Sequence, residues 1–210
     1  MADRARGGPA GAAAQTMNPL DALRAAVLQG QDDEAEALVP QITQDPRWID
    51  ELRAWLHDPN PDVRWWAVRT LAAYPAGTPQ VADALRHALQ DPDPEVRAAA
   101  ALGLRQHPTP DAIPELRRLL EAEDAFLARL AAEALAALGP AATAALVDVL
   151  RHGNPAARRE AARALAQTDD PEAIEALFHA LDDPSPLVNL WAEDALHRRG
   201  VGMMFWTFGE

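Results

Sequence analysis

The sequence contains no cysteine. Disulfides, thiolate metal sites and cysteine nucleophiles are therefore excluded, and a reducing compartment is permitted. Positive charge is short: 19 basic residues face 32 acidic ones, a formal net charge of −13. That balance disfavours nonspecific binding to nucleic acid or to an anionic membrane, since both reward arginine and lysine. No apolar run reaches the roughly 18 residues that a membrane-spanning helix needs. There is no glycine-rich phosphate loop and no Gly-x-Ser-x-Gly elbow. The opening stretch MADRARGGPAGAAAQT lacks the apolar centre of a signal peptide. Residues 1–16 are expected to be disordered, Met17 is an alternative start, and a cytoplasmic location is expected.

Aromatics are few, at 5%, although 49% of the residues are hydrophobic. Alanine and leucine dominate, and at helical spacing such a composition favours an all-α chain. The spacing is regular. Val63, Val96, Leu127, Ala157 and Val188 recur at steps of 33, 31, 30 and 31 residues. Four residues after each stands alanine: Ala67, Ala100, Ala131, Ala161 and Ala192. Eight after each stands leucine: Leu71, Leu104, Leu135, Leu165 and Leu196. Two further leucine columns lie seven and eleven residues before, beginning at Leu56 and Leu52. Offsets below are counted from these five reference positions.

Punctuation follows the same period. Asn60, Asp93, Asp124, Asn154 and Ser185 sit three residues before each reference position. All are residue types that cap helix N-termini. Proline follows four of them, at the helical position where a missing N–H costs nothing, and Ala125 is the exception. A second set of starts lies at Asp45-Pro46, Thr78-Pro79, Thr109-Pro110, Gly139-Pro140 and Asp170-Pro171. Each unit therefore reads as helix, short turn, helix. One pair cannot bury its apolar stripe alone, whereas stacked pairs can, and the product is a solenoid. Residues 18–44 read as a degenerate leading repeat, with five repeats over 45–199.

The motif DPDPEVRAAAALGL at 91–104, with DPNPDVRWWAVRTL and DPSPLVNLWAEDAL, resembles the short HEAT-like repeat of phycobilisome lyase-type proteins. That resemblance implies a right-handed α-solenoid of about five to six helix-turn-helix repeats, with the second helices lining the concave side. It also implies that Arg64, Arg97 and Arg158, at offset +1, form structural ladders, each reaching a turn aspartate in a neighbouring unit. Ala128 and Asn189 interrupt the ladder. Function does not follow from the repeat, which serves adaptors, chromophore lyases and enzymes.

Consecutive helical residues point about 100° apart, so Trp65 and Trp66 cannot both sit centrally on one buried stripe. They occupy offsets +2 and +3, slots that the resemblance places on the concave groove. Leu190 and Trp191 hold the same slots in the fifth unit, and Arg129, Leu130 and Arg159 in the units between. Arg69 and Arg163 stand at +6. The expected site is thus Trp65, Trp66, Arg69, Arg129, Leu130, Arg159, Arg163, Leu190 and Trp191, with tryptophan and arginine the types most enriched in binding hot spots. The competing reading is that the leading unit covers one of the paired indoles. Trp48 and Trp55, seven apart, are expected in the core.

Gly200 is a natural helix stop, and the apolar run Met203, Met204, Phe205, Trp206 and Phe208 beyond it reads as a cap or a docking tail. Deoxyhypusine hydroxylase, built on similar repeats, ligates metal through His-Glu pairs. No histidine here is followed by glutamate, so that chemistry is rejected. No metal site or cofactor is expected. HEAT-like alkylpurine DNA glycosylases use tryptophans and an acid in a groove, roles into which Trp66, Trp191 and Asp194 would fit, but the acidic charge opposes holding a duplex. A bilin lyase or chromophore-chaperone role is the principal alternative. The leading expectation is a non-enzymatic scaffold that binds a protein or peptide partner in its concave groove, with arginines pairing to partner carboxylates.

Overall fold

The computed structural model describes residues 18–201, and the expected disordered N-terminus and apolar C-terminal run lie outside them. Among the described residues there are twelve α-helices and no strand. They form consecutive pairs: α1 (Pro19–Leu28) with α2 (Asp32–Ile42), α3 (Ile49–Trp55) with α4 (Pro61–Ala72), and α5 (Pro79–Ala88) with α6 (Pro94–Leu104). Then come α7 (Ile113–Leu120) with α8 (Ala125–Ala137), α9 (Pro140–His152) with α10 (Pro155–Leu165), and α11 (Pro171–His179) with α12 (Pro186–Arg198).

The capping residues do the work their types suggest. Asn60, Asp93, Asp124 and Asn154 accept hydrogen bonds from amides of the first turns of α4, α6, α8 and α10. Ser185 does not: its hydroxyl leaves the first turn of α12 uncapped, and its own amide donates to Asp183 instead. Proline opens α4, α5, α6, α9, α10, α11 and α12. At Gly139 the backbone adopts φ +59°, a left-handed turn that lets α9 start directly after α8.

Burial follows the repeat columns. The five alanines at +4 are completely buried, at 0% exposure. Val63, Val96, Leu127, Ala157 and Val188 are buried too, as are Leu71, Leu104, Leu135, Leu165 and Leu196. Small side chains at +7 let one second helix approach the next: a Cβ on Gly103 of α6 would lie 2.9 Å from the Ala72 Cβ of α4. Helices α4, α6, α8, α10 and α12 pack in unbroken succession. The first helices form a sparser row. The chain is an all-α solenoid in which the second helices make the denser layer.

The leading pair stacks differently. Its first helix, α1, makes the main contact with α4. Tyr74, at the end of α4, donates its hydroxyl to the carbonyls of Ile42 and Asp45 at 3.2 and 3.0 Å and so ties the end of α2 to the array. Burial pushes that phenol up to about 12. Trp55 is in the core as expected. Trp48 is only partly buried, because a 3-10 turn at Pro46–Trp48 interrupts the helix and moves it off the shared face.

The arginine ladder is present in part. Arg64 donates from Nε and Nη2 to Asp91 of the next turn at 2.8 and 2.9 Å, and from Nη1 to the Asp58 carbonyl. Arg158 reaches Asp183 in the same way. Arg97 holds only the carbonyls of Asp91 and Pro92 in its own turn, because Ala122 stands where the next aspartate would be. Asn189 substitutes by donating to the Leu181 carbonyl. Since the Arg64 and Asp91 side chains are only 11% and 7% exposed, Arg64→Ala strands a buried carboxylate. It is expected to cost about 3 kcal/mol in urea denaturation, against about 1 kcal/mol for Arg97→Ala.

Asp58 accepts from the Asn60 amide and from the Arg24 guanidinium, and these bonds, the amide first, hold its carboxyl below the ordinary 3.8. The folded state thus prefers the carboxylate. The stability this contributes is complete above the ordinary value and is lost as pH falls through the folded one. Stability measured in urea is expected to decline as pH drops below about 4, and Asp58→Asn to make that decline shallower.

Candidate functional site

The second helices carry one long solvent-facing strip. Offsets −1, +2, +6, +9 and +10 fall within an arc of about 100° on a regular helix. Of the exposed large hydrophobic residues, Leu102, Phe126, Leu187 and Leu190 all lie on second helices and all occupy this arc. Between them stand arginines. The chain has no lysine, so every basic side chain here is a planar guanidinium suited to paired hydrogen bonding.

The structure separates the expected site residues. Trp65, Arg69, Arg129, Arg159, Arg163, Leu190 and Trp191 retain exposed surface. Trp66 and Leu130 do not: at 6% and 9% exposure they belong to the hydrophobic core. Both stand at +3, which lies beside +7 on the flank that meets the preceding repeat, and in these two units the neighbour covers the side chain, whereas Trp191 at the same offset stays partly exposed. The leading pair covers Trp66, whose ring meets that of Trp65 edge-on at 5.2 Å.

Most of the arginines already have partners. Arg69 pairs with Glu36 of α2. Glu133 receives Arg105 at 3.1 Å, Arg129 at 3.2 Å and Arg163 at 3.5 Å. Arg163 also holds Glu160 at 2.9 Å. Arg159, at +2 of α10, makes no ion pair among the described residues. Mid-array, four guanidiniums thus face two carboxylates, a locally positive stretch in a chain of net charge −13. Arg105, Gln106 and Gln167, which continue the strip at +9 and +10, line a cavity of about 600 Å³ with Glu133 and Arg163. These three were absent from the expected site, although extending the +2 and +6 columns by one helical turn reaches them.

A second cavity, of about 550 Å³, opens where the leading pair meets α4 and is lined by Trp65, Trp66 and several carboxylates. Trp191 is partly buried against the far end of the core. Among the described residues, no group of three or more histidine, aspartate or glutamate side chains is placed to hold a metal ion.

The model of HEAT repeats matches residues 22–93, 87–152 and 143–201. The chain belongs to the HEAT-repeat family. No curated protein sequence matches it. Among solved structures, this HEAT-repeat chain is similar to the CpcE–CpcF complex of phycocyanin lyase from Nostoc sp. PCC7120, at 25% identity and TM-score 0.55 over 92% of this chain and 81% of that one. An engineered protein matches at 22% identity and TM-score 0.50, over 89% and 98% of the two chains. Human deoxyhypusine hydroxylase in complex with glycerol follows at 22% identity and TM-score 0.49, over 87% and 80%.

Trp66 and Trp191 share offset +3 but should separate in their energetics. Trp66→Ala empties a buried site and is expected to cost about 3–5 kcal/mol. Trp191→Ala, whose ring is only partly buried at the far end, is expected to cost less than about 2 kcal/mol. Urea denaturation of both variants checks this.

Proposed function

We propose that this HEAT-repeat chain is a non-enzymatic scaffold that binds a protein or peptide partner along the strip of its second helices. Rods that pack more closely on one side curve the array toward that side, so the second helices line the inside of the curve. The observation that carries the reading is the strip itself. Leu102, Phe126, Leu187 and Leu190 leave apolar surface in water on three of the second helices, α6, α8 and α12, all on one angular face. Contiguous apolar surface rimmed by polar groups marks interaction sites. The arginines around Glu133 supply the polar component, and a partner carboxylate would enter a field that already holds excess positive charge. Arg69 has a smaller part than its position suggests, since Glu36 occupies it.

A second reading has one observation in its favour, the similarity to a phycocyanin lyase complex. In that reading the mid-array arginines would pair with the propionates of a tetrapyrrole. Added bilin would then give a coloured complex.

The scaffold reading is tested by selecting peptides from a display library against the full chain. Selected peptides are expected to lose about tenfold in affinity or more on Arg129→Glu and on Leu190→Ala, equal to about 1.4 kcal/mol. They are expected to bind Arg118→Glu, on the first-helix row, unchanged. Peptides that ignore both strip substitutions overturn the reading.

A further inference from the structure

We infer that the cavity at the leading end takes a cationic side chain, arginine or lysine, from the partner. The inference deepens the scaffold reading by naming the partner's chemistry at one end of the strip. The cavity exists because α1, not α2, makes the main contact with α4. The first turn of α2 is left standing opposite the N-terminal ends of α4 and α6, and about 550 Å³ stays open between them.

Its walls combine two features that together select an organic cation. Trp65 remains partly exposed and presents indole surface, with the buried Trp66 ring packed edge-on behind it. Asp32, Asp33, Asp62 and Glu95 supply carboxylates that make no ion pair among the described residues. Glu36, by contrast, is taken by Arg69, and Asp93 is occupied in capping α6. A guanidinium or ammonium over an indole face is attracted by the ring quadrupole, and neighbouring carboxylates add Coulomb attraction. The carboxylates come from three separate helices, and no group of them converges at metal-ligand distances among the described residues. A diffuse negative field beside a flat indole surface suits a broad, alkyl-stemmed cation better than a compact metal ion.

The same chain shows what its tryptophans do when a guanidinium is within reach. Arg47 lies over Trp48 at 4.3 Å and Arg24 over Trp55 at 5.4 Å. Among the described residues no arginine lies over Trp65 or Trp66. That pair, facing unneutralised acids, has the surroundings of a cation site with its cation still to come from outside.

The test is a fluorescence-polarisation titration of the full chain with a labelled, end-blocked peptide carrying three arginines between glycines. Its counterpart with citrulline in place of arginine keeps the shape and removes the charge. The arginine peptide is expected to bind about tenfold or more tightly than the citrulline peptide. Trp65→Leu, which keeps every charge, and the double variant Asp32→Asn, Asp33→Asn are each expected to weaken it at least about tenfold. The double variant Glu172→Gln, Glu175→Gln removes the same charge from α11 at the far end and is expected to bind as the parent does. Should Trp65→Leu lower the melting temperature by more than about 3 °C, the aspartate variant alone decides. Equal binding of both peptides, equal loss in the α2 and α11 variants, or no binding to the parent chain overturns the inference. The display selection depends on Arg129 and Leu190 and this titration on the leading end, so either can fail alone.

Discussion

Every helix pair in this chain has an apolar stripe that only another pair can cover. The alanines at +4 are where that dependence is settled. Ala67, Ala100, Ala131, Ala161 and Ala192 are wholly buried because +4 points directly away from the solvent-facing arc, into the layer between the two rows of helices. A larger side chain at any of them would hold two rods apart and open the core on both sides, since interiors packed to crystal-like density do not absorb added volume freely. The array is therefore a sum of interfaces between neighbours. Its continuity along the second helices is what turns one exposed position per repeat into a strip.

Burial assigns the two faces of that layer different duties. Toward the first helices run leucine and valine, without charge. Away from them run arginine, glutamate and a few stranded hydrophobics. The polar side is not a random solvated surface, because its charges are organised. Glu133 gathers Arg105, Arg129 and Arg163 from three successive repeats. Arg105 and Arg129 are largely exposed, and pairs of that kind contribute little to stability. Their larger consequence is that mid-strip arginines are held in place, with guanidinium positions fixed before any partner arrives, which reduces the ordering cost of binding.

The ends of a repeat array break its regularity, and here each end does so in its own way. At the leading end α1 takes over the contact with α4, Tyr74 pins the end of α2, and an acidic cavity with indole walls is left over. At the other end Glu193 occupies +5 and is exposed, whereas Val68, Ala101, Ala132 and Ala162 at the same offset are buried. The reason is that no further repeat follows α12 among the described residues. The strip thus runs from an acidic, aromatic end through a positive middle to an apolar far end around Leu187, Leu190 and Trp191.

Periodicity alone was enough to determine the helices, their pairing, the buried columns and, Ser185 excepted, the caps of the second helices, because each rests on local spacing or on contacts that recur from repeat to repeat. The outward arc was legible for the same reason, and Arg105, Gln106 and Gln167 were readable had the columns been followed one turn further. Three things depended on the tertiary structure. Trp66 and Leu130 share an offset with residues that stay partly exposed, and only the neighbouring repeat's position decides that they are covered. Whether Arg69 and Arg163 are free for a partner depends on Glu36 and Glu133, which lie some 30 residues away in the chain. The leading cavity has no signature in the sequence at all. It arises from which of two helices docks on α4, a choice made by packing across the whole pair, which no local pattern encodes.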